Sequence, residues 1–257
     1  MLRFFPKQLI RYRCVSWFAN LLHLHFGGKW PRIRFPRFFY SGYRYLQVEC
    51  IASKEDGGNA PVVDAVESNA VHTSSPPSAE FSTSNELLNR IWKLLEWAQL
   101  SNMVSALTGC PNREKLGWLE QIHLNGPALR YNFDLNAFFY KTMNDMADSQ
   151  LASGLVPTTA PEYPVFGGDF RDSQEWGSAL PLVAWQQYLF TGDVELLRHY
   201  YDGMVRYTDY LGSKSKDHIV IHGLSDWYDI GSPKPGASQL TPKTGSFSSL
   251  RPILYRA

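Results

Sequence analysis

From residue 84 to residue 213 apolar residues return at helical spacing, and the connections between these periodic stretches alternate between very short and very long. This pattern limits the fold more than any other feature. A helix with one apolar stripe must bury it against a neighbour, and short connections make successive helices antiparallel neighbours. The first stretch, SNELLNRIWKLLEWAQLSNMVS (84–105), opens with Ser84 or Asn85 as a cap and places Leu87, Leu88, Ile91, Leu94, Leu95 and Ala98 at helical positions. The same periodicity predicts helices over 117–131, 135–151, 174–190 and 193–213, the last two separated by a Thr-Gly-Asp turn. A long loop rich in Pro, Gly and aromatics, VPTTAPEYPVFGGDFRDS, fills 156–173. A short strand at 218–223 leads into SDWYDIGSP (225–233). Stacked helical hairpins with their long loops gathered at one end are expected, and a ligand site belongs among the loops at 107–118, 156–175 and 223–236.

Ahead of residue 80 the period changes. FFYSGYRYLQVEC (38–50) reads as a strand, SKEDGGNA (53–60) as a loop, PVVDAVESNAVH (61–72) as a second strand and SSPPS (74–78) as a linker. This divides the chain into a basic aromatic segment of unknown role at 1–37, strand and linker at 38–80, and a helical region at 81–257. Residues 1–45 carry nine Lys or Arg and no acid, leaving 25 − 9 = 16 bases against 24 acids in the remainder, a net of −8. An acidic body argues against nucleic acid as a partner. The N-terminal segment lacks the unbroken apolar core and small-residue cleavage site of a secretory signal. It fits an organelle-targeting segment, a remnant of an upstream domain, or unrelated sequence. Cys14, Cys50 and Cys110 are too few and too scattered for a disulfide framework or a zinc spacing. No apolar run is long enough to span a membrane. The localisation is not legible.

Phosphate-loop, dinucleotide, HExxH and GxSxG signatures are missing from the sequence. His218 and His222, four residues apart on a predicted strand, would lie about 13 Å apart, too far to chelate one ion, and are expected to be ordinary strand positions. Glu114 is the strongest chemical candidate. It sits in TGCPNREKLGWLEQ (108–121) between Arg113 and Lys115 and four residues before Trp118. A general acid needs its carboxyl against a low-dielectric wall that raises its pKa, and Trp118 can supply one. The bland alternative is an exposed carboxylate paired with a neighbouring base. Asp226 beside Trp227 repeats the pairing of an acid and an aromatic, which suits a sugar's hydroxyls and C–H face; a core Trp is the alternative. Glu162, Asp169, Asp172, Glu175 and Trp176 can add contacts from the long loop, although each acid there is by default a solvated loop residue.

Four ordered blocks then carry a family resemblance: GCPNREKLGWLEQIHLNGPALRYNFDL, KTMNDMADSQLASGLVPTTAPEY, EWGSALPLVAWQQYLFTGDVELL and HGLSDWYDIG. Across residues 81–243 the chain resembles the bacterial-type α-L-rhamnosidases, inverting glycoside hydrolases with an (α/α)6 barrel. FFYSGYRYLQVE resembles the last strands of the β-sandwich that precedes that barrel. The implied fold class is mainly α, a partial (α/α)6 six-hairpin barrel preceded by a short β-sandwich remnant. The implied partner is a rhamnose-containing oligosaccharide or glycoside, with no cofactor and no metal. Glu114 matches the family's general acid. Arg113, Trp118 and Glu120 match positions lining the rhamnose pocket, Asp226 and Trp227 a loop that closes on the sugar, and Trp176 is taken as a further contact.

The chain departs from the family in three places. Gly109 replaces an Asp that contacts sugar hydroxyls, and Gln121, beside Glu120, replaces another Asp. The family's general base lies in a later barrel helix, whereas GSFSSLRPILYRA (245–257) no longer resembles it. About five long helices are expected where a closed barrel has twelve. An inverting hydrolase needs its base to deprotonate water, so the sequence predicts little or no hydrolysis of aryl α-L-rhamnosides by this chain. A non-catalytic carbohydrate-binding or remnant protein is the alternative.

Overall fold

The computed structural model describes residues 39–51, 65–220 and 222–223, together with the backbone of four strands between residues 2 and 34. Two compact units are present: residues 1–72 with Cys110–Lys115, and residues 73–109 with 116–257. In the first unit, strands β1 (Leu2–Phe4) and β4 (Arg32–Arg34) pair antiparallel. Strands β2 (Leu9–Val15), β3 (Asn20–His25) and β5 (Tyr45–Ile51) form an antiparallel sheet in the order β3-β2-β5. Tyr12 stands opposite Val48 in that register. Residues 39–43 are irregular, so the strand expected from residue 38 begins at Tyr45. The second strand expected over 61–72 does not form in its described part, 65–72. Val66 and Val71, the large apolar residues of that part, are exposed. Strand periodicity without a face to bury leaves nothing to hold the backbone extended.

The second unit opens with α1 (Glu86–Asn102). Asn85, not Ser84, caps it, its side chain accepting from Leu87 N at 3.0 Å. The helix stops short of residue 105 because Ser105 takes φ +66°, turning β6 (Met103–Val104) back onto β7 (Ala106–Leu107). Helix α4 (Asn136–Ser149) is continuous. The other predicted helices are each broken once. Residues 117–131 become α2 (Leu119–Leu124) and α3 (Gly126–Asn132), with Pro127 in the first turn of α3. Residues 174–190 become α5 (Gln174–Gly177) and α6 (Ala179–Thr191), and residues 193–213 become α7 (Glu195–His199) and α8 (Tyr201–Lys214). Gly192, at φ +72°, closes α6 in the left-handed conformation.

Helix α6 lies at the centre of this unit, in contact with α2, α3, α4, α5, α7 and α8. Its Leu180, Val183 and Ala184 join Leu119 and Ile122 of α2, Leu129 of α3, Phe139, Met143 and Met146 of α4 and Tyr207 of α8 in one core. Glycines at the helix breaks allow close packing. A Cβ at Gly177 would stand 2.6–2.8 Å from the Tyr207 ring and hydroxyl, and one at Gly126 would meet Gln186 Oε1 at 2.4 Å. Arg130 is buried in the α3–α6 seam, its guanidinium 3.7 Å from the Phe139 ring centre and donating to Gln187 Oε1, Gln186 Oε1 and the Val183 carbonyl. Burial pushes it down to about 10.

Candidate active site

Arg113 and Glu114 lie in the first unit, on a turn anchored to the strand side of that unit. Gly42 N donates to the Pro111 carbonyl at 3.0 Å, and Lys115 Nζ donates to the Tyr40 carbonyl at 2.6 Å while lying 4.8 Å from the Tyr40 ring centre. Lys115 takes φ +56°, turning the chain out of the segment. Arg113 and Glu114 are exposed. The Cys110 thiol is pushed up by burial and by the nearby Glu114 carboxylate, with Arg113 opposing. The sequence predicts a carboxyl shielded from water at Glu114; the side chain is exposed instead.

In the second unit Trp118 precedes α2 and pairs by an antiparallel bridge with Thr159 of the long loop. Leu119 N donates to the Thr158 carbonyl and Ala160 N to the Gly117 carbonyl, both at 3.0 Å. The approach is so close that a Cβ on Gly117 would lie 2.4 Å from the Ala160 oxygen. One face of Trp118 is occupied by Phe166, with ring centres 5.4 Å apart and planes 17° apart, and Phe166 leads on to Phe170 at 5.6 Å. The loop is held further by Thr158 Oγ1 donating to the Phe170 carbonyl and by a two-pronged Arg171–Glu162 pair at 2.7 Å on each arm. Glu162 is thus an ion-paired residue rather than a solvated one. Glu120 lies half-buried in the first turn of α2. Trp176 belongs to the core at 6% exposure. Asp226 and Trp227 lie outside the described residues.

Among the described residues, Asp172 and Glu175, which the sequence presents only as possible loop contacts, belong to an ionisable cluster with Tyr210 and His222. Asp172, at the end of the long loop, accepts from the Tyr210 hydroxyl of α8 at 2.5 Å and meets His222 Nε2 at 3.1 Å. Burial alone would raise its pKa, but the bonds from His222 and Tyr210 and the charges of His222 and Lys214 together hold it below the ordinary value. Three residues on, Glu175 goes the other way: burial pushes its carboxyl up, against opposing contacts from Gln174 and Ser173. The short α5 that carries it is clamped through its carbonyls, Gln174 O accepting from the Tyr207 hydroxyl at 3.2 Å and Glu175 O meeting His123 Nε2 at 2.8 Å. Burial lowers the His123 pKa, with the Glu175 carbonyl opposing. Neither His218 nor His222 occupies a strand: β8 (Ser215–Lys216) and β9 (Ile219–Val220) flank a turn in which His218 has φ +62°. Among the described residues, no grouping of three His, Cys, Asp or Glu could hold a metal ion, and no helix is long and apolar enough to cross a membrane.

Residues 76–244 match the bacterial alpha-L-rhamnosidase 6 hairpin glycosidase domain. The chain belongs to that family. It is 28% identical over 205 residues to an alpha-L-rhamnosidase of Formosa agariphila, a match covering 75% of this chain and 20% of the relative. It is 29% identical over 203 residues to one from Streptomyces avermitilis, covering 78% and 19%. The chain thus spans about one fifth of the length of these curated relatives. The alpha-L-rhamnosidase from Dictyoglumus thermophilum superposes with TM-score 0.72 at 27% identity, over 91% of this chain and 28% of that one. The Streptomyces avermitilis enzyme in complex with L-rhamnose shares the fold, with TM-score 0.70 at 24% identity, over 91% and 24%. The mainly helical character of the second unit is consistent with a six-hairpin glycosidase fold.

Proposed function

We propose that this chain is an α-L-rhamnosidase-like glycoside hydrolase acting on terminal α-L-rhamnosyl residues, and that residues 81–257 form part of its six-hairpin barrel, residues 38–80 being a β-sandwich remnant and linker. The family match over 76–244, which takes in Glu114, carries this reading. The Glu114 carboxyl acts as general acid, passing its proton to the glycosidic oxygen as the bond to the anomeric carbon breaks. Inversion further needs a second carboxylate to take a proton from the water that attacks the opposite face of that carbon; no residue of this chain is assigned to that step, and hydrolysis by the chain is expected to be impaired. Arg113, Glu120 and Asp226 hold sugar hydroxyls. Trp118 and Trp227 offer aromatic contacts to the sugar, while Trp176 supports the site from the core.

The exposure of Glu114 favours a second reading, a non-catalytic carbohydrate-binding protein of the same family, because the side chain stands in solvent rather than in a water-excluded cleft. Hydrolysis of an aryl α-L-rhamnoside, measured beside Glu114→Gln, separates the two. Turnover abolished by that substitution establishes the hydrolase. Rhamnose binding without turnover establishes the second reading, and neither activity refutes both.

A further inference from the structure

The 156–173 loop acts on Trp118 in two separate ways. It fixes the backbone, through the bridge to Thr159 and the bonds from Leu119 N to the Thr158 carbonyl and from Ala160 N to the Gly117 carbonyl. It also fixes the side chain, through Phe166, whose ring centre lies 5.4 Å from that of Trp118 with the planes 17° apart. Backbone bonds alone leave the χ angles of a tryptophan a choice of rotamers. A stacked ring narrows that choice, because turning the indole opens a gap against its neighbour. Phe166 is half-buried although Val165 and Gly167 on either side of it are exposed, so the tip of the loop presents this ring to the indole.

A ring carried on a loop can hold an indole only if the loop itself is held. Residues 163–170 are closed at the neck by Glu162 and Arg171, whose two bonds are each 2.7 Å and whose side chains are 12% and 26% exposed. A two-pronged ion pair fixes orientation as well as distance. Within the loop, Thr158 Oγ1 donates to the Phe170 carbonyl at 2.8 Å and Arg171 N to the Gly168 carbonyl at 3.0 Å, while the Phe170 ring stands 5.6 Å from Phe166. Support therefore runs from the ion pair through Phe170 and Phe166 to the Trp118 ring.

We propose that Phe166 is a positioning residue for sugar binding: it sets the plane of the Trp118 indole against which a rhamnosyl ring packs its C–H face. This rests on the role of Trp118 as a sugar contact under the rhamnosidase reading. A side chain already locked in its binding rotamer loses no further freedom when the ligand arrives, whereas a loose one must be immobilised at that moment. The effect lies in affinity, about three- to tenfold in Kd for one such side chain. What the position needs is a flat ring, which tyrosine keeps and leucine does not.

The test is a calorimetric titration of L-rhamnose into the full chain and into Phe166→Leu, Phe166→Tyr, Val165→Ala and Trp118→Ala, each checked for folding by circular dichroism. Phe166→Leu is expected to weaken binding about three- to tenfold and Phe166→Tyr to restore it to within about twofold of the parent chain. Val165→Ala, at an exposed neighbour in the same loop, is expected to leave it unchanged. A purely structural role for Phe166 would lower the melting temperature of Phe166→Leu without moving Kd, and that result overturns the proposal. Equal weakening by Phe166→Leu and Phe166→Tyr also overturns it. If Phe166→Leu does not fold, Glu162→Gln reads the same dependence from the neck of the loop, and binding as tight as the parent's in that variant overturns the proposal. If the parent chain binds and Trp118→Ala binds as tightly, the indole is no sugar contact and the proposal falls while rhamnose recognition stands. A folded parent chain with no saturable binding sinks the rhamnosidase reading and the proposal with it.

Discussion

Tyr210 donates its hydroxyl hydrogen to Asp172 across 2.5 Å, fastening the last residues of the 156–173 loop to helix α8. His222 meets the second carboxylate oxygen at 3.1 Å, so one side chain joins three elements that are far apart in sequence. Hydrogen bonds to an ionised carboxylate contribute about 1.5–3 kcal/mol each when one partner is removed. Because Asp172 is only half buried, the low end of that range applies to Tyr210→Phe. Thermal unfolding of that variant at pH 7 measures the loss.

The same carboxylate predicts an acid limb in stability. The folded-state pKa of Asp172 is depressed below its ordinary 3.8. Its contribution is therefore complete above the unfolded value and disappears as pH falls through the folded one. Asp172→Asn removes this dependence. Melting temperatures measured from pH 6 down to pH 3 should fall more steeply for the parent chain than for Asp172→Asn, and the gap between the two should close at the acid end.

Glu175 predicts the opposite slope. Its folded-state pKa is raised above the ordinary 4.5, so folding favours the protonated form. Stability from this group is greatest below the unfolded value and declines as pH rises through the folded one. Glu175→Gln keeps the shape and removes the charge. Its melting temperature should exceed that of the parent chain at pH 7 and equal it near pH 4.

The Gly117–Ala160 approach predicts a large cost for a small change. Gly117→Ala places a methyl group against a backbone oxygen that cannot turn aside. The expected loss is about 1–3 kcal/mol of unfolding free energy, with a weakened Trp118–Phe166 stack visible as altered tryptophan fluorescence. Denaturant unfolding beside Gly167→Ala, where the added Cβ meets nothing within 4 Å, separates this effect from generic loss of a glycine.

Two leucines on helices test the assignment of core and surface. Leu129, fully buried in α3, should cost about 2–5 kcal/mol on truncation to Ala. Leu94, exposed on α1, should cost less than about 0.5 kcal/mol. Chemical denaturation of both variants measures the difference.

How much of this could be read from the sequence depends on how local each cause is. Helix α1 and its Asn85 cap were legible because capping and periodicity act within one turn. The close approach of Gln186 to Gly126 and of the Tyr207 ring to Gly177, at the helix breaks, is not legible there, because it is set by residues far away in sequence. Nor could periodicity say which way α1 would face: its leucines predicted burial, yet the side chains that hold it are Trp92 and Gln99. Asp172 and Glu175 look like solvated loop acids in the sequence, since the groups that pair Asp172 lie 38 and 50 residues away at Tyr210 and His222 and the burial of Glu175 is set by the fold. The motif around Glu114 was legible as a family signature, while its exposure depended on contacts with Gly42 and Tyr40 that no local pattern encodes.

The most direct test of the account is a calorimetric titration of L-rhamnose into the full chain and into Arg113→Ala, which alters an exposed proposed sugar contact without touching the core. The account predicts saturable binding with Kd about 1–10 mM for so small a ligand, weakened at least tenfold in the variant. A folded chain that shows no saturable heat, or that binds L-rhamnose equally well without the guanidinium, would contradict it.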